Sequence, residues 1–183
     1  MNLKLPVGVR AYPLKTHQDE RGWLAEFFRE EWNTDLHFVQ WNCVFSHAKA
    51  LRGVHVHLKH WDYLILLKGN MLLGLNDLRS DSETFGLSTM VELSETSLTT
   101  WTIPPGVAHG FFFPVESMYC YAVSEYWNPN DELGCLWNDP ELGLHWPVSQ
   151  PLLSERDRQA PPFKELLGHF NREKTAFSQR GLS

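Results

Sequence analysis

Apolar and polar side chains alternate in short runs along most of this chain, and glycine and proline separate the runs. Alternation with period two marks strands with one buried face. It predicts strands near 7–14, 22–28, 38–45, 51–57, 62–67, 71–78, 87–93, 98–103, 108–113 and 117–126. Asp19-Glu20-Arg21-Gly22 and Lys68-Gly69-Asn70 are turn signals between neighbouring runs. Residues 30–35 are polar and predict a loop or a short helical turn, and 77–86 a polar connection. The stretch 128–151 is dense in Pro, Gly and Trp and predicts irregular chain. Helical spacing appears late: Phe163, Leu166, Leu167 and Phe170 fall at i, i+3, i+4 and i+7 behind Pro161-Pro162. The pattern predicts an all-β sandwich or barrel with a core over about 7–157, a helical extension over about 161–176 and a frayed end from 174 onward. It shows no internal repeat, so residues 1–183 read as one domain.

Composition narrows the function classes. Eight tryptophans and eleven phenylalanines are many for 183 residues, enough to line a concave site as well as a core. A formal charge of -6 argues against a nucleic-acid binder, which needs a basic face. No apolar run reaches membrane-spanning length. Cys43, Cys120 and Cys135 are odd in number with no CxxC, and the N-terminus has no signal-peptide apolar region. They read as reduced thiols of a cytoplasmic protein.

The chemistry concentrates in Leu51-Arg52-Gly53-Val54-His55-Val56-His57 and the strand beginning at Asp62. His55 and His57 are two apart on a strand and share a face. Ile103-Pro104-Pro105-Gly106-Val107-Ala108-His109 adds a histidine after a Pro/Gly corner. His-x-His-x4-Asp-x6-Gly followed by Pro-x-Gly-x2-His resembles the two signature motifs of the cupin barrels, with Asp62 where the pattern has Glu and Gly53 too close to the first His. Three imidazoles and a carboxylate, His55, His57, Asp62 and His109, can hold a divalent transition metal, or serve hydrogen bonding and proton transfer without one. His60 reads as a loop residue. Arg21 and Arg52 suit a diphosphate or an ordinary ion pair. Tyr121 suits a general acid or simple packing. Asp157 suits a partner for an imidazole or an exposed acid.

A longer series of short motifs resembles the dTDP-4-dehydrorhamnose 3,5-epimerases, sugar-nucleotide enzymes of the cupin superfamily. The series is Asp19-Glu20-Arg21-Gly22 with Glu26, Val39-Gln40-Trp41-Asn42, Leu51 to His55, Asp77-Leu78-Arg79 with Thr84-Phe85-Gly86, and Ile103 to Phe111. It continues through Tyr121, Tyr126-Trp127-Asn128-Pro129, Leu136 to Pro140, His145-Trp146-Pro147 and Leu153-Ser154-Glu155-Arg156-Asp157. The resemblance implies a jelly-roll homodimer of deoxysugar biosynthesis acting on a nucleotide-linked 4-keto-6-deoxyhexose, with no cofactor. It implies His55 as base, Asp157 as its partner, Tyr121 as acid and His109 near the carbonyl oxygen. Arg52 and Arg21 are implied as diphosphate ligands, Arg21 from the other subunit. Glu26, Gln40, Asn42 and Trp127 are implied around the nucleotide, and His57 and Asp62 in the substrate pocket.

One departure matters. The family places a lysine a few residues after the His loop, where this chain has Asp62, and the loop is shorter. A carboxylate beside a developing enolate raises the barrier unless something compensates. Four outcomes stay open: an epimerase that tolerates Asp62, a metal at His55, His57, Asp62 and His109, a reaction like that of the dTDP-sugar 3,4-ketoisomerases, or a non-catalytic sugar-nucleotide binder.

Overall fold

The computed structural model describes residues 3–32, 36–128 and 131–180. Ten strands form two five-stranded antiparallel sheets that face one another as a jelly roll. One sheet runs in the order β1 (Arg10–Pro13), β9 (Thr99–Ile103), β6 (Asp62–Lys68), β11 (Ser117–Val123) and β4 (Gln40–Ser46). The other runs β12 (Glu132–Gly134), β5 (Leu51–His57), β10 (Val107–Phe112), β7 (Asn70–Asp77) and β8 (Ser88–Ser94). A separate hairpin pairs β2 (Thr16–Asp19) with β3 (Gly22–Ala25). The chain closes with the single turn α1 (Glu155–Arg158) and the long helix α2 (Phe163–Arg180).

The expected all-β fold is therefore present, and most strands begin and end within a few residues of the alternating runs. The differences have local causes. β12 and α1 arise within or just beyond stretches read as irregular, because three or four residues are too few to carry a period. The 30–35 segment contains a 3₁₀ turn at Glu30–Trp32, and Asn33, Thr34 and Asp35 lie outside the described residues, as do Pro129 and Gly181 to Ser183. α2 runs past the expected frayed end at 174. Lys174 there reaches Asp81 at 2.6 Å, and Thr175 Oγ1 donates to the Asn171 carbonyl at 2.8 Å.

Two apolar layers position the central strand. Leu64, Leu66, Trp101 and Ile103 of one sheet meet Leu73, Leu75 and Val91 of the other in the barrel interior. Behind the second sheet, Val54 and Val56 of β5 pack with Phe163, Leu166 and Phe170 of α2. β5 is thus buried on both faces, and its odd-numbered residues His55 and His57 point opposite to Val54 and Val56. Gly53 has φ +112°, and an added Cβ would lie 2.8 Å from the His109 carbonyl oxygen. A side chain there would push β5 off β10.

Asp77 ties the polar connection after β7 to the barrel. It is fully buried and accepts hydrogen bonds from Arg79 Nε at 2.8 Å, Ser82 Oγ at 2.6 Å and Thr84 Oγ1 at 2.6 Å. Burial pushes its carboxyl up, but these hydrogen bonds outweigh burial and hold it at about 2.

Two stability predictions follow from this packing. Gly53→Ala should cost about 2–3 kcal/mol, from strain and the backbone clash, while Gly168→Ala in α2, with no contact under 3.5 Å, should gain about 0.5–1 kcal/mol; thermal melts of the two variants test the contrast. Asp77→Asn should cost about 3 kcal/mol at neutral pH. Because the folded pKa is depressed, this stabilisation is complete above the ordinary carboxylate range and is lost as pH falls toward about 2. Urea midpoints of the two proteins should therefore converge in acid.

Candidate active site

A cavity of about 470 Å³ opens between the sheets. β5 contributes Arg52, His55 and His57 to its wall, and β10 contributes His109, which pairs with His55 across the ladder. The facing sheet contributes Asp62 from β6 and Tyr119 and Tyr121 from β11. Glu132 of β12 and Arg156 and Asp157 of α1 close one side.

His55 Nε2 lies 2.6 Å from Asp157 Oδ1. Asp157 is buried at 5% exposure, although it sits on a loop-like turn 102 residues away in sequence. Local geometry holds it there. Ser154 caps α1 by accepting the Asp157 N–H at 3.1 Å, and Leu152 exchanges backbone hydrogen bonds with Lys49 and Leu51 at the start of β5. Burial raises the Asp157 carboxyl, but the hydrogen bond and charge of His55 outweigh it, and the group stays below its ordinary value. With its proton on Nε2, His55 donates to the ionised Asp157 and keeps a free lone pair on Nδ1, the form a base requires, while the Arg156 guanidinium, which only donates, competes for the same nitrogen. Arg156 Nη2 also comes within 2.6 Å of His55 Nε2, and its other nitrogen is held by Glu132.

Tyr121 lines the same cavity from the opposite sheet. Burial raises its phenol, so it stays protonated at neutral pH. Beneath the cavity Asp62 is enclosed, and burial first, opposed by the charge of His60, lifts it to about 7. Burial depresses His57, and it depresses His109 to about 4.

The other candidates divide by position. Arg52 reaches the cavity and donates to Ser46 Oγ at 3.0 Å and the Phe45 carbonyl at 3.2 Å. Gln40, Asn42 and Trp127 form a connected polar line beside β11. Gln40 donates to Asn42 Oδ1 at 3.1 Å and accepts the Trp127 N–H at 3.0 Å, while Asn42 pairs with Tyr121 in the ladder. Arg21 and Glu26 do not reach the cavity of their own chain. Arg21 is 85% exposed on the β2–β3 hairpin beside Asp19, and Glu26 pairs with Arg29 at 2.8 Å on a separate groove.

Sequence reading missed three residues. Glu132 and Arg156 line the cavity, and His60, read as a loop residue, is buried at 3% exposure between β5 and β6. The only signals were the charge of Arg156 beside Asp157 and the placing of His60 between His57 and Asp62. Glu132 had none, because its proximity comes from pairing opposite His57.

Comparison with known proteins identifies the family. The family model described as dTDP-4-dehydrorhamnose 3,5-epimerase matches residues 4–165. A dTDP-4-dehydrorhamnose 3,5-epimerase from Pseudomonas aeruginosa is 35% identical over 156 residues, covering 80% of this chain and 86% of that protein. Among solved structures, an epimerase from Mycobacterium tuberculosis superposes with a TM-score of 0.84 at 29% identity, covering 91% of this chain and 90% of the other. A 3'-monoepimerase from Streptomyces bikiniensis, in complex with dTDP-quinovose, superposes with a TM-score of 0.83 at 28% identity, covering 96% and 98%. With its jelly roll, its cavity between the sheets and a match that spans most of its length, the chain belongs to the dTDP-4-dehydrorhamnose 3,5-epimerase family.

Proposed function

We propose that this protein is a sugar-nucleotide epimerase that inverts C3, C5 or both on a dTDP-4-keto-6-deoxyhexose. The observation that carries this reading is the placing of His55 and Tyr121 on opposite sheets across one cavity. Inversion needs a base on one face of the sugar and an acid on the other. His55 Nδ1 removes the proton from the carbon next to the C4 ketone, and the bonding electrons move to the carbonyl oxygen as an enolate. Tyr121 gives its phenolic proton to the opposite face of that carbon, and the enzyme resets when the His55 imidazolium releases its proton to water and the phenolate takes one up. The oxidation level does not change, so no redox cofactor is needed.

The remaining residues take the roles their positions suit. Asp157 orients His55 and stabilises the imidazolium that forms. His109 lies beside the reacting carbonyl. Arg52 meets the diphosphate as a forked donor. Gln40, Asn42 and Trp127 border the nucleotide. A homodimer completes the site: the exposed hairpin of Arg21, Trp23 and Leu24 extends away from its own cavity, and a partner copy brings Arg21 to the diphosphate and Glu26 to the nucleotide. The three free cysteines suit a cytoplasmic setting, and no helix among the described residues is long and apolar enough to cross a membrane.

Proton NMR of dTDP-4-keto-6-deoxyglucose with the enzyme in heavy water tests the assignment. Wild type should wash out C5–H, or C3–H and C5–H, with new sugar signals. His55→Ala should lower exchange by about 10²–10⁴-fold while dTDP affinity changes little. Tyr121→Phe should keep exchange, since the base can return deuterium to the face it came from, yet lose inverted product. Washout at C3 with the ketone moved there would overturn the epimerase assignment in favour of a 3,4-ketoisomerase. Unimpaired exchange in His55→Ala would overturn the role of the base.

A further inference from the structure

Asp62 enters the cavity from β6 and faces three imidazoles. Its carboxyl oxygens are 3.8 Å from His57 Nε2, 3.9 Å from His60 Nε2 and 3.8 Å from His109 Nε2. Each gap is longer than a hydrogen bond. The four-residue metal set suggested by the sequence does not assemble. Asp157 holds His55, and His109 falls outside the group of described residues whose donor atoms lie close together, His57, His60 and Asp62.

A carbonyl oxygen beside His109 meets an acceptor there, not a donor. His109 Nδ1 donates to the Val107 carbonyl at 3.2 Å, an atom that only accepts. A neutral imidazole has one N–H, and burial lowers His109 to about 4. Its Nε2 therefore presents a lone pair to the cavity. The other cavity donors are engaged: Arg52 by Ser46 and the Phe45 carbonyl, and Arg156 by Glu132. Asp62 Oδ2 is 3.8 Å from His109 Nε2, so an oxygen beside the ring is also beside the carboxyl group. When the sugar loses its proton, that oxygen becomes an enolate. An ionised Asp62 would repel it together with the His109 lone pair, in a site shielded from water. A carboxylic acid at the same position donates to it instead.

The surroundings of Asp62 favour the acid form. Its ladder neighbours Ile103 of β9 and Val123 of β11 are apolar. β5 and β10 bring His57 and His109, both held neutral by burial. β11 brings the phenols Tyr119 and Tyr121, both raised by burial. Asp131 and Glu132 bring negative charge. His60 brings positive charge from the turn between β5 and β6. Burial lowers His60, but its hydrogen bond to Asp131 and the charge of Asp62 outweigh burial and raise it. Asp131 Oδ2, 3.1 Å from His60 Nδ1, offsets that charge on the far side of the ring. Burial first, opposed by His60 and aided by Glu132 and Asp131, lifts Asp62 to about 7.

We propose that Asp62 is a catalytic residue that works as a neutral carboxylic acid, donating a hydrogen bond to the enolate oxygen as it forms. This rests on the epimerase reading. The proton stays on Asp62 throughout. The electron pair of the broken C–H bond rests on the oxygen and returns to carbon when Tyr121 protonates it. A carboxylic acid kept neutral by an apolar site is a strong donor to a developing oxyanion.

The test follows proton exchange on dTDP-4-keto-6-deoxyglucose against pH. The base must be free of its proton and Asp62 must keep one. Exchange should therefore rise and then fall, the fall setting in as pH passes about 7. Asp62→Asn keeps a donor that cannot ionise, so it should retain measurable exchange and lose that fall. Asp62→Leu has no donor and should lower kcat for exchange by about 10²–10³-fold, with dTDP affinity little changed. Infrared spectra of ligand-free wild type should show a protonated-carboxyl stretch that titrates near 7 and is missing from Asp62→Asn. Circular dichroism identifies any variant that fails to fold, and Asp62→Asn, of the same shape, then decides. A fall near neutral pH that persists in Asp62→Asn overturns the proposal. So does loss of all exchange in Asp62→Asn while wild type grows faster through the same range, which would show that the carboxylate is required. Near-normal kcat in Asp62→Leu also overturns it and moves the donor to His57. No exchange by wild type overturns the epimerase reading and the enolate role with it, and the infrared titration still upholds or overturns the acid form.

Discussion

The 2.6 Å contact between His55 and Asp157 is the constraint on which the candidate site depends. It joins a central strand to a one-turn helix far along the chain, and neither end is free to adjust. β5 is clamped by apolar side chains on one face and by the barrel interior on the other. Gly53 lets the strand approach β10 closely enough to bring His55 opposite His109. α1 is fixed by the Ser154 cap and by Leu152, which is stitched to the start of the same strand. Rigidity on both sides turns a histidine and an aspartate into an oriented base.

Asp62 poses an electrostatic problem, and the surroundings of that residue show how this chain meets it. A lysine at this depth would bring charge to the cavity directly. A carboxylate brings the opposite sign and is costly to bury alone. The three histidines around it, two with outer nitrogens held by Asp131 and Val107, form a buried polar cluster. The turn between β5 and β6 folds His60 inward onto His57, with ring centroids 3.9 Å apart.

Much of this was legible in the chain itself. Period-two alternation located strands β4 to β11, because each buries one face and the pattern repeats over enough residues to be read. The stripe Phe163, Leu166, Leu167 and Phe170 located α2. The order of short motifs gave His55, Tyr121, Asp157 and His109, all of which the fold brings to one cavity. β12 and α1 were not legible, since elements this short are held by their partners and have no period of their own. Arg21 and Glu26 stand in motifs of the sequence, but their distance from the cavity of their own chain follows from where the hairpin projects.

The sequence by itself determined the fold class and which residue types are available for proton transfer, because burial patterning and motif order are properties of the linear chain. Only the tertiary structure decided their partners. Asp157 instead of water faces His55 because Leu152 and Ser154 dock α1 against β5. Glu132 enters the wall because β12 pairs with β5, and Arg156 because α1 brings it onto Glu132. His60, an unremarked residue between two strands, turns inward to share Asp62 with His57 and His109. Spacing along the chain fixes which face a side chain takes within its own strand. The direction in which a turn carries a residue, and which lone pairs then meet, depend on contacts between elements that no local pattern encodes.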